Sequence, residues 1–307
     1  MTMNKQEMIE EIKRLKKQKN AVILAHNYQI PEIQDIADIV GDSLKLSQEA
    51  ANSNADIIIL SGVHFMAESA KILSPEKKVL LPNIDAGCPM ADMIDIEKLR
   101  LFKEKHPEAP VVCYVNTSAE VKAESDVCCT SSNALKIVKN LDADKVLFIP
   151  DRNLGAFIAT QIPEKEIVCF DGFCITHNRI ELEEIENVRK EYPTALILAH
   201  PECDPEVVKR ADFVGSTSQI INFAKESDNE IFIIATEMGI MHKLENDNKG
   251  TNKKFYMLSP SLICSNMKKN RLEDIYYALE EENYEIKVDE DIRLRAIKSL
   301  DRMLELS

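Results

Sequence analysis

Three consecutive α/β units, each a small parallel sheet with helices on its faces, form the fold class that the sequence predicts. Three observations carry this expectation. One residue pattern recurs three times, at spacings of 88 and 86 residues. Apolar runs of strand length alternate with charged segments of helical period. No Gly/Ser-rich linker separates the copies, so the units are expected to pack tightly against one another.

Each unit opens with a charged segment, residues 5–17, 94–105 and 180–192, whose apolar residues recur at helical spacing. An apolar strand ending in polar residues follows: AVILAHNY, VVCYVNTS and ALILAHPE. His26, Asn116 and His200 are expected at matching strand ends. Then comes the repeat itself: DIVGDSLKLSQEAANSNADIIIL from Asp38, DVCCTSSNALKIVKNLDADKVLF from Asp126, and DFVGSTSQIINFAKESDNEIFII from Asp212. Each Asp is followed five residues on by Ser43, Ser131 or Thr217, and thirteen further on by Asp56, Asp144 or Glu230. IIILSGVHF, VLFIPDRNL and IFIIATEMG read as buried strands running into short helices. KKVLLPN, EIVCFDG and KFYMLSP supply a last strand. The expected divisions are residues 1–92, 93–178 and 179–267, with helices over 268–307 packing back on the first unit.

Composition bounds the function. The chain has 307 residues, with 38 Lys and Arg against 52 Asp and Glu, a net charge of -14. A hydrophobic fraction of 45% with 29% charged residues is that of a folded globular chain. The acidic balance leaves no basic stripe for a phosphate backbone, so nucleic acid is not an expected partner. No apolar run reaches the roughly 18 residues of a membrane span, so none is expected. The charged first segment lacks the apolar core of a secretory signal, and a cytoplasmic location is expected. The eight cysteines are then thiols or metal ligands rather than disulfides.

Three of those cysteines follow the last strand of a unit: Cys88 in LPNIDAGCPM, Cys174 in CFDGFCITH and Cys264 in LSPSLICSNM. They lie 86 and 90 residues apart, the length of the repeat. Loops after strand C-termini line the ligand crevice of open parallel sheets. Three units meeting about a pseudo-threefold axis would therefore bring three thiolates to one point. Such a set suits zinc with a fourth ligand, or an iron–sulfur cluster with one iron left open. Sequence spacing does not choose between them. Cys113, Cys128, Cys129 and Cys169 fall in or beside strands and are expected in the core. Cys203 has no cysteine at its matching places, and its role stays open.

The same geometry gathers His26, Tyr28, Tyr114, Asn116, His200 and Glu202 at the ends of the first strands. Ser43, Ser131 and Thr217 are expected as N-caps of the helices that follow. Three helix N-termini facing inward would suit an anionic ligand. His, Tyr and Glu side chains in one dry pocket supply general acid–base groups.

With these residues in place, the chain resembles the quinolinate synthase family over nearly its whole length. The resemblance rests on AHNYQIPEIQDIADIVGDSLKLS, CPMAD, YVNT, TSSNA, GFCITH, AHPEC, GSTSQI and ATEMG, in that order. It implies three pseudo-symmetric αβα domains around a central [4Fe-4S] cluster held by Cys88, Cys174 and Cys264. It implies condensation of iminoaspartate with dihydroxyacetone phosphate to quinolinate, within NAD biosynthesis. It further implies that an aspartate-oxidising enzyme supplies the iminoaspartate. His26, Ser43, Tyr114, Val115, Asn116, Ser131, His200, Pro201, Glu202 and Thr217 are the implied substrate contacts. Glu202 is the implied general base, with Tyr28, Tyr114 and His200 assisting. Longer relatives carry a C-terminal CxxCxxC; here CSNMKKN holds Cys264 alone, so no switchable disulfide is expected there. The rival expectation is a redox-sensing or electron-transfer iron–sulfur protein, for which His177 would be the fourth ligand.

Overall fold

A computed structural model describes residues 3–307 of the chain; Met1 and Thr2 lie outside the described residues. Its twelve strands form three separate four-stranded sheets. The first holds β1 (Ala21–His26), β2 (Ile39–Gly41), β3 (Ile57–Ser61) and β4 (Lys78–Leu80). The second holds β5 (Val111–Tyr114), β6 (Val127–Cys129), β7 (Lys145–Ile149) and β8 (Glu166–Cys169). The third holds β9 (Leu196–Ala199), β10 (Phe213–Val214), β11 (Ile231–Ala235) and β12 (Lys254–Met257). Each sheet has the same spatial order, second, first, third, fourth strand, and the pairings are parallel. This order puts a topological switch point between the first and third strands of each sheet, and ligands of open α/β sheets bind outside the strand C-termini there.

The repeated aspartate has a structural job. Asp38 accepts the backbone N–H of Ile23 at 2.8 Å, Asp126 that of Val111 at 2.7 Å, and Asp212 that of Ile197 at 2.7 Å. In each case the carboxylate reaches back fifteen residues to pin the first strand beside the second. These three bonds also fix the alignment of the units. Tyr114 matches His26 and His200, while Asn116 matches Tyr28 and Glu202. The expected equivalence of Asn116 with His26 and His200 is therefore off by two residues. A two-residue slip keeps every side chain on its face of the strand, so alternation alone does not reveal it.

The caps also differ from expectation. Asp42 and Ser216, with extended backbone, accept the N–H groups of Lys45 and Gln219 and cap the helices Ser43–Asn52 and Thr217–Glu226. Ser43 and Thr217 are thus the first helical residues, and Ser131 lies in the turn before the helix Ala134–Asn140. A cap needs a side-chain acceptor that reaches forward two or three residues. Asp42 and Ser216 supply it, which leaves the hydroxyls of Ser43 and Thr217 free for other partners. The three turns touch at the axis, where Ser132 donates to Asp42 at 2.7 Å and lies 2.9 Å from the Ser216 hydroxyl.

The C-terminal segment divides between two units. The helix Leu272–Glu281 packs on Lys5–Gln18 and β3 of the first unit. The last helix, Glu290–Leu306, instead lies over β6 and the helix Ala119–Ala123 of the second unit, touching His64–Leu73 on the way. This corrects the expectation that the whole segment packs on the first unit. The reason is the edge strand β6, whose Val127, Cys128 and Cys129 are fully buried and need a cover. Ala296, Ser299, Leu300 and Met303 provide it, with Ser299 donating to the Lys122 carbonyl at 2.9 Å.

Candidate active site and metal centre

The strand C-termini of all three sheets face one cavity at the meeting point of the units. Cys88, Cys174 and Cys264 line it together, each half-buried. Cys113, Cys128, Cys129 and Cys203 are buried elsewhere, and Cys169 ends β8 away from the cavity. Cys203 donates to the Ala235 carbonyl at 3.3 Å and is part of the third unit's core.

The three cavity thiols have equivalent settings. Each precedes a single 3-10 turn, Ala91–Met93, His177–Arg179 or Met267–Lys269. Backbone N–H groups two or three residues on point at each sulfur: Met90 and Ala91 at Cys88, His177 at Cys174, Asn266 and Met267 at Cys264. Burial pushes the Cys88 thiol up to about 12 and raises those of Cys174 and Cys264. Thiols so placed become thiolates only beside a cation, and the inward N–H groups then favour the charged sulfur. Buried carboxylates hold two of the three loops. Asp151 accepts the Cys174 N–H at 3.2 Å, and Glu237 accepts the Cys264 N–H at 3.0 Å. Val63 stands at the matching place in the first unit.

Glu202 is the hub of the polar groups. Tyr114 donates its hydroxyl to Glu202 Oε1 at 2.5 Å, and His177 Nδ1 lies 2.8 Å from Oε2. Burial alone would raise this carboxyl; the His200 and His177 rings and the hydrogen bonds from His177 and Tyr114 outweigh it and hold it well below the usual carboxylate range. Burial also raises the Tyr28 and Tyr114 phenols, as does the nearby Glu202 charge. The other two histidines are held neutral. Burial lowers His26 to about 4 and His200 to about 3, and in both cases this outweighs nearby carboxylates. His26 Nδ1 accepts the Tyr28 N–H at 3.1 Å, and His200 Nε2 lies 3.2 Å from the Ser131 hydroxyl.

Most of the expected site residues meet in this cavity: His26, Tyr28, Ser43, Tyr114, Asn116, Ser131, His200, Glu202 and Thr217 all line it. Val115 and Pro201 do not line it. Both are buried next to lining residues, and Val115 faces a small void beside Ser43 and Leu60. The Asn116 side-chain oxygen is buried with no protein partner. Sequence reasoning passed over Asp42, Thr130, Arg179 and Glu237 as lining groups, and offered His177 only as a fourth ligand in the rival reading. GFCITH and ATEMG held the signal for His177 and Glu237, since both flank cysteine loops. Among the described residues that line the cavity, Arg179 is the one Lys or Arg.

Gly239 fits the Tyr28 loop against the third unit. A Cβ there would fall 2.6 Å from the Tyr28 backbone. Gln34 bridges the same seam, donating to the Gly239 carbonyl at 2.9 Å.

Cys174, His177 and Glu202 bring a sulfur, a ring nitrogen and a carboxylate oxygen within 4.8 Å of one another, a set able to hold a metal ion. His177 Nδ1 is already engaged by Glu202, which argues against its serving as a fourth cluster ligand. Three equivalent thiols and no free fourth donor are the chemistry of a metal centre with one open position. Acid–base groups facing such a centre across a buried cavity define an enzyme site.

Comparison with known proteins identifies which enzyme family this is. Residues 10–305 match the family described as NadA, quinolinate synthetase A protein. The quinolinate synthase of Alkaliphilus metalliredigens (strain QYMF) is 66% identical over 304 residues, covering 99% of this chain and 100% of that protein. That of Caldicellulosiruptor saccharolyticus is 58% identical over 297 residues, covering 97% of each. That of Clostridium kluyveri (strain ATCC 8527) is 55% identical over 299 residues, covering 97% of this chain and 98% of its own. The chain belongs to the quinolinate synthase family. No helix among the described residues is long and apolar enough to cross a membrane.

Proposed function

We propose that the chain condenses iminoaspartate with dihydroxyacetone phosphate to give quinolinate, releasing phosphate and water, as a step of NAD biosynthesis in the cytoplasm. The observation that carries this reading is the convergence of Cys88, Cys174 and Cys264 on the cavity that holds the Tyr114–Glu202–His177 cluster. In this reading the three cysteines hold a [4Fe-4S] cluster. Its open iron supplies Lewis-acid chemistry for loss of a hydroxyl group.

The chain's own residues do the rest. The first-turn N–H groups at Ser43 and Thr217 and the Ser43 hydroxyl, with Ser131, His26 and His200, bind the dicarboxylate. The unpartnered oxygen of Asn116 accepts from the substrate nitrogen. Arg179 takes the phosphate of the triose, since a dianion needs a permanent cation in a cavity that also holds Asp42, Glu202 and Glu237. Glu202, kept ionised by its donors, is the base that removes a proton from the substrate. Tyr114, whose one hydroxyl hydrogen goes to Glu202, holds that carboxylate in place, and Tyr28, whose phenol stays protonated, assists proton transfer. Iminoaspartate is unstable in water, so an oxidation of aspartate must supply it close in time.

The test is direct. The anaerobically prepared, iron-loaded chain is given an iminoaspartate source and dihydroxyacetone phosphate, and quinolinate is measured. Glu202→Gln is expected to keep its iron and lose turnover by about 100-fold or more. Absence of quinolinate with intact wild-type protein would sink the reading, and full turnover by Glu202→Gln would remove this residue as the base.

A further inference from the structure

Asp42 is an awkward residue for this cavity. It lines the pocket beside Ser43, Ser131 and Thr217, where the proposed function seats a dicarboxylate, and a carboxylate there repels that ligand. Both of its oxygens are engaged by donors. Oδ1 accepts the Lys45 N–H at 3.0 Å, the cap of the helix Ser43–Asn52. Oδ2 accepts the Ser132 hydroxyl at 2.7 Å, a bond that crosses from the second unit to the first. A carboxylate is a stronger acceptor than a hydroxyl, so the single Ser132 hydrogen goes to Asp42. The Ser132 oxygen is left facing the buried Ser216 hydroxyl of the third unit at 2.9 Å. Ser132 reaches across because the second unit starts its helix late. Ser43 and Thr217 are already helical, whereas in the second unit residues 130–133 form a turn before the helix Ala134–Asn140. Leu44 and Ser218 stand at the positions matching Ser132, and both lie in the first turn of a helix.

We propose that Ser132 is a positioning residue for dicarboxylate binding: its hydroxyl occupies Asp42 Oδ2, offsets part of that charge beside the ligand, and holds the Ser131 turn against the first unit. Ser132 does not line the cavity. It acts through Asp42 and through its neighbour Ser131, whose hydroxyl lies 3.2 Å from His200 Nε2. Without the Ser132 hydroxyl, Oδ2 loses this donor while the cap bond at Oδ1 remains. A less compensated negative charge then stands next to the bound carboxylates, and their affinity falls.

This role for Ser132 rests on the proposed place of the dicarboxylate and not on the condensation. Succinate, a saturated dicarboxylate of the same four-carbon length, separates the two. Its binding to the iron-loaded chain is measured by anaerobic calorimetry for wild type, Ser132→Ala, Asp42→Asn and the double variant. Ser132→Ala is expected to weaken succinate about tenfold. In Asp42→Asn the charge is gone and the amide oxygen still caps Lys45, so there the same change is expected to cost less than about twofold. In turnover, Ser132→Ala is expected to move kcat less than about threefold and KM for dihydroxyacetone phosphate less than about twofold. A Ser132→Ala affinity within about twofold of wild type overturns the proposal, as does a wild type that binds no succinate. So does a loss of about tenfold that persists in the Asp42→Asn background, which would make Ser132 a tie between units and nothing more. Failure of the condensation reading shows separately, as no quinolinate from a chain whose succinate affinities follow the expected cycle.

Discussion

His26 offers a prediction whose size follows from its surroundings. The ring is buried at the end of β1, and its Nδ1 accepts the Tyr28 N–H at 3.1 Å. Burial lowers it from 6.5 to about 4, Asp42 and Glu202 act in the opposite direction, and Lys268 adds to the lowering. The folded chain therefore binds fewer protons than the unfolded chain between these two values, and stability falls as pH falls. The contribution is fully present above the unfolded value of 6.5 and is lost progressively as pH drops toward about 4. Linkage puts the loss from this one group at about 2 kcal/mol by pH 5 and about 3 kcal/mol in full. Protonating Nδ1 also sets two N–H groups against each other, so the Tyr28 loop should loosen in step.

The assay compares wild type with His26→Gln, which keeps an acceptor but does not titrate. Urea unfolding of the metal-free chain is followed from pH 7.5 to pH 5. Other groups contribute to the acid sensitivity of both proteins, so the difference between them is the quantity to read. Wild type should lose about 2 kcal/mol more than His26→Gln over that range. Parallel pH profiles for the two proteins would refute the claim that His26 is held neutral by burial.

Two further outcomes test other parts of the account. Asp126→Ala should destabilise the chain by about 1–2 kcal/mol in urea unfolding, because the buried Val111 N–H loses its acceptor, whereas Asp126→Asn should cost less than about 1 kcal/mol. Equal losses for the two variants would mean that the carboxylate's charge, not its acceptor oxygen, is what pins β5. Arg179→Gln should raise KM for dihydroxyacetone phosphate about tenfold while leaving KM for the dicarboxylate nearly unchanged; an unchanged KM for the phosphate ester would place the phosphate elsewhere.

The repeat was legible because its aspartates perform the same local task three times. Asp38, Asp126 and Asp212 sit at one sequence distance from the N–H they bind, and so recur as a pattern. The three cysteines were legible for a related reason, since each stands in the same loop of its unit. What stayed hidden depends on partners from another unit. Thr236 reaches Tyr28 and His177, and Ser132 reaches Asp42 and Ser216, all at distant positions in the chain. No local spacing encodes such contacts. The placement of the last helix was hidden too, because an apolar stripe announces burial but not the surface that buries it. In the caps, Asp42 and Ser216 stood directly before the expected residues, and only the backbone geometry separates neighbouring polar candidates.

The central claim is that one cysteine from each unit holds a shared cluster. Iron and acid-labile sulfide per chain, measured after anaerobic reconstitution, test it most directly. Wild type, Cys169→Ala and Cys203→Ala should each carry about four iron and four sulfide, while Cys88→Ala, Cys174→Ala and Cys264→Ala should each lose the cluster. Full iron and sulfide in any of those last three variants, or cluster loss in Cys203→Ala to the same degree, would contradict the assignment.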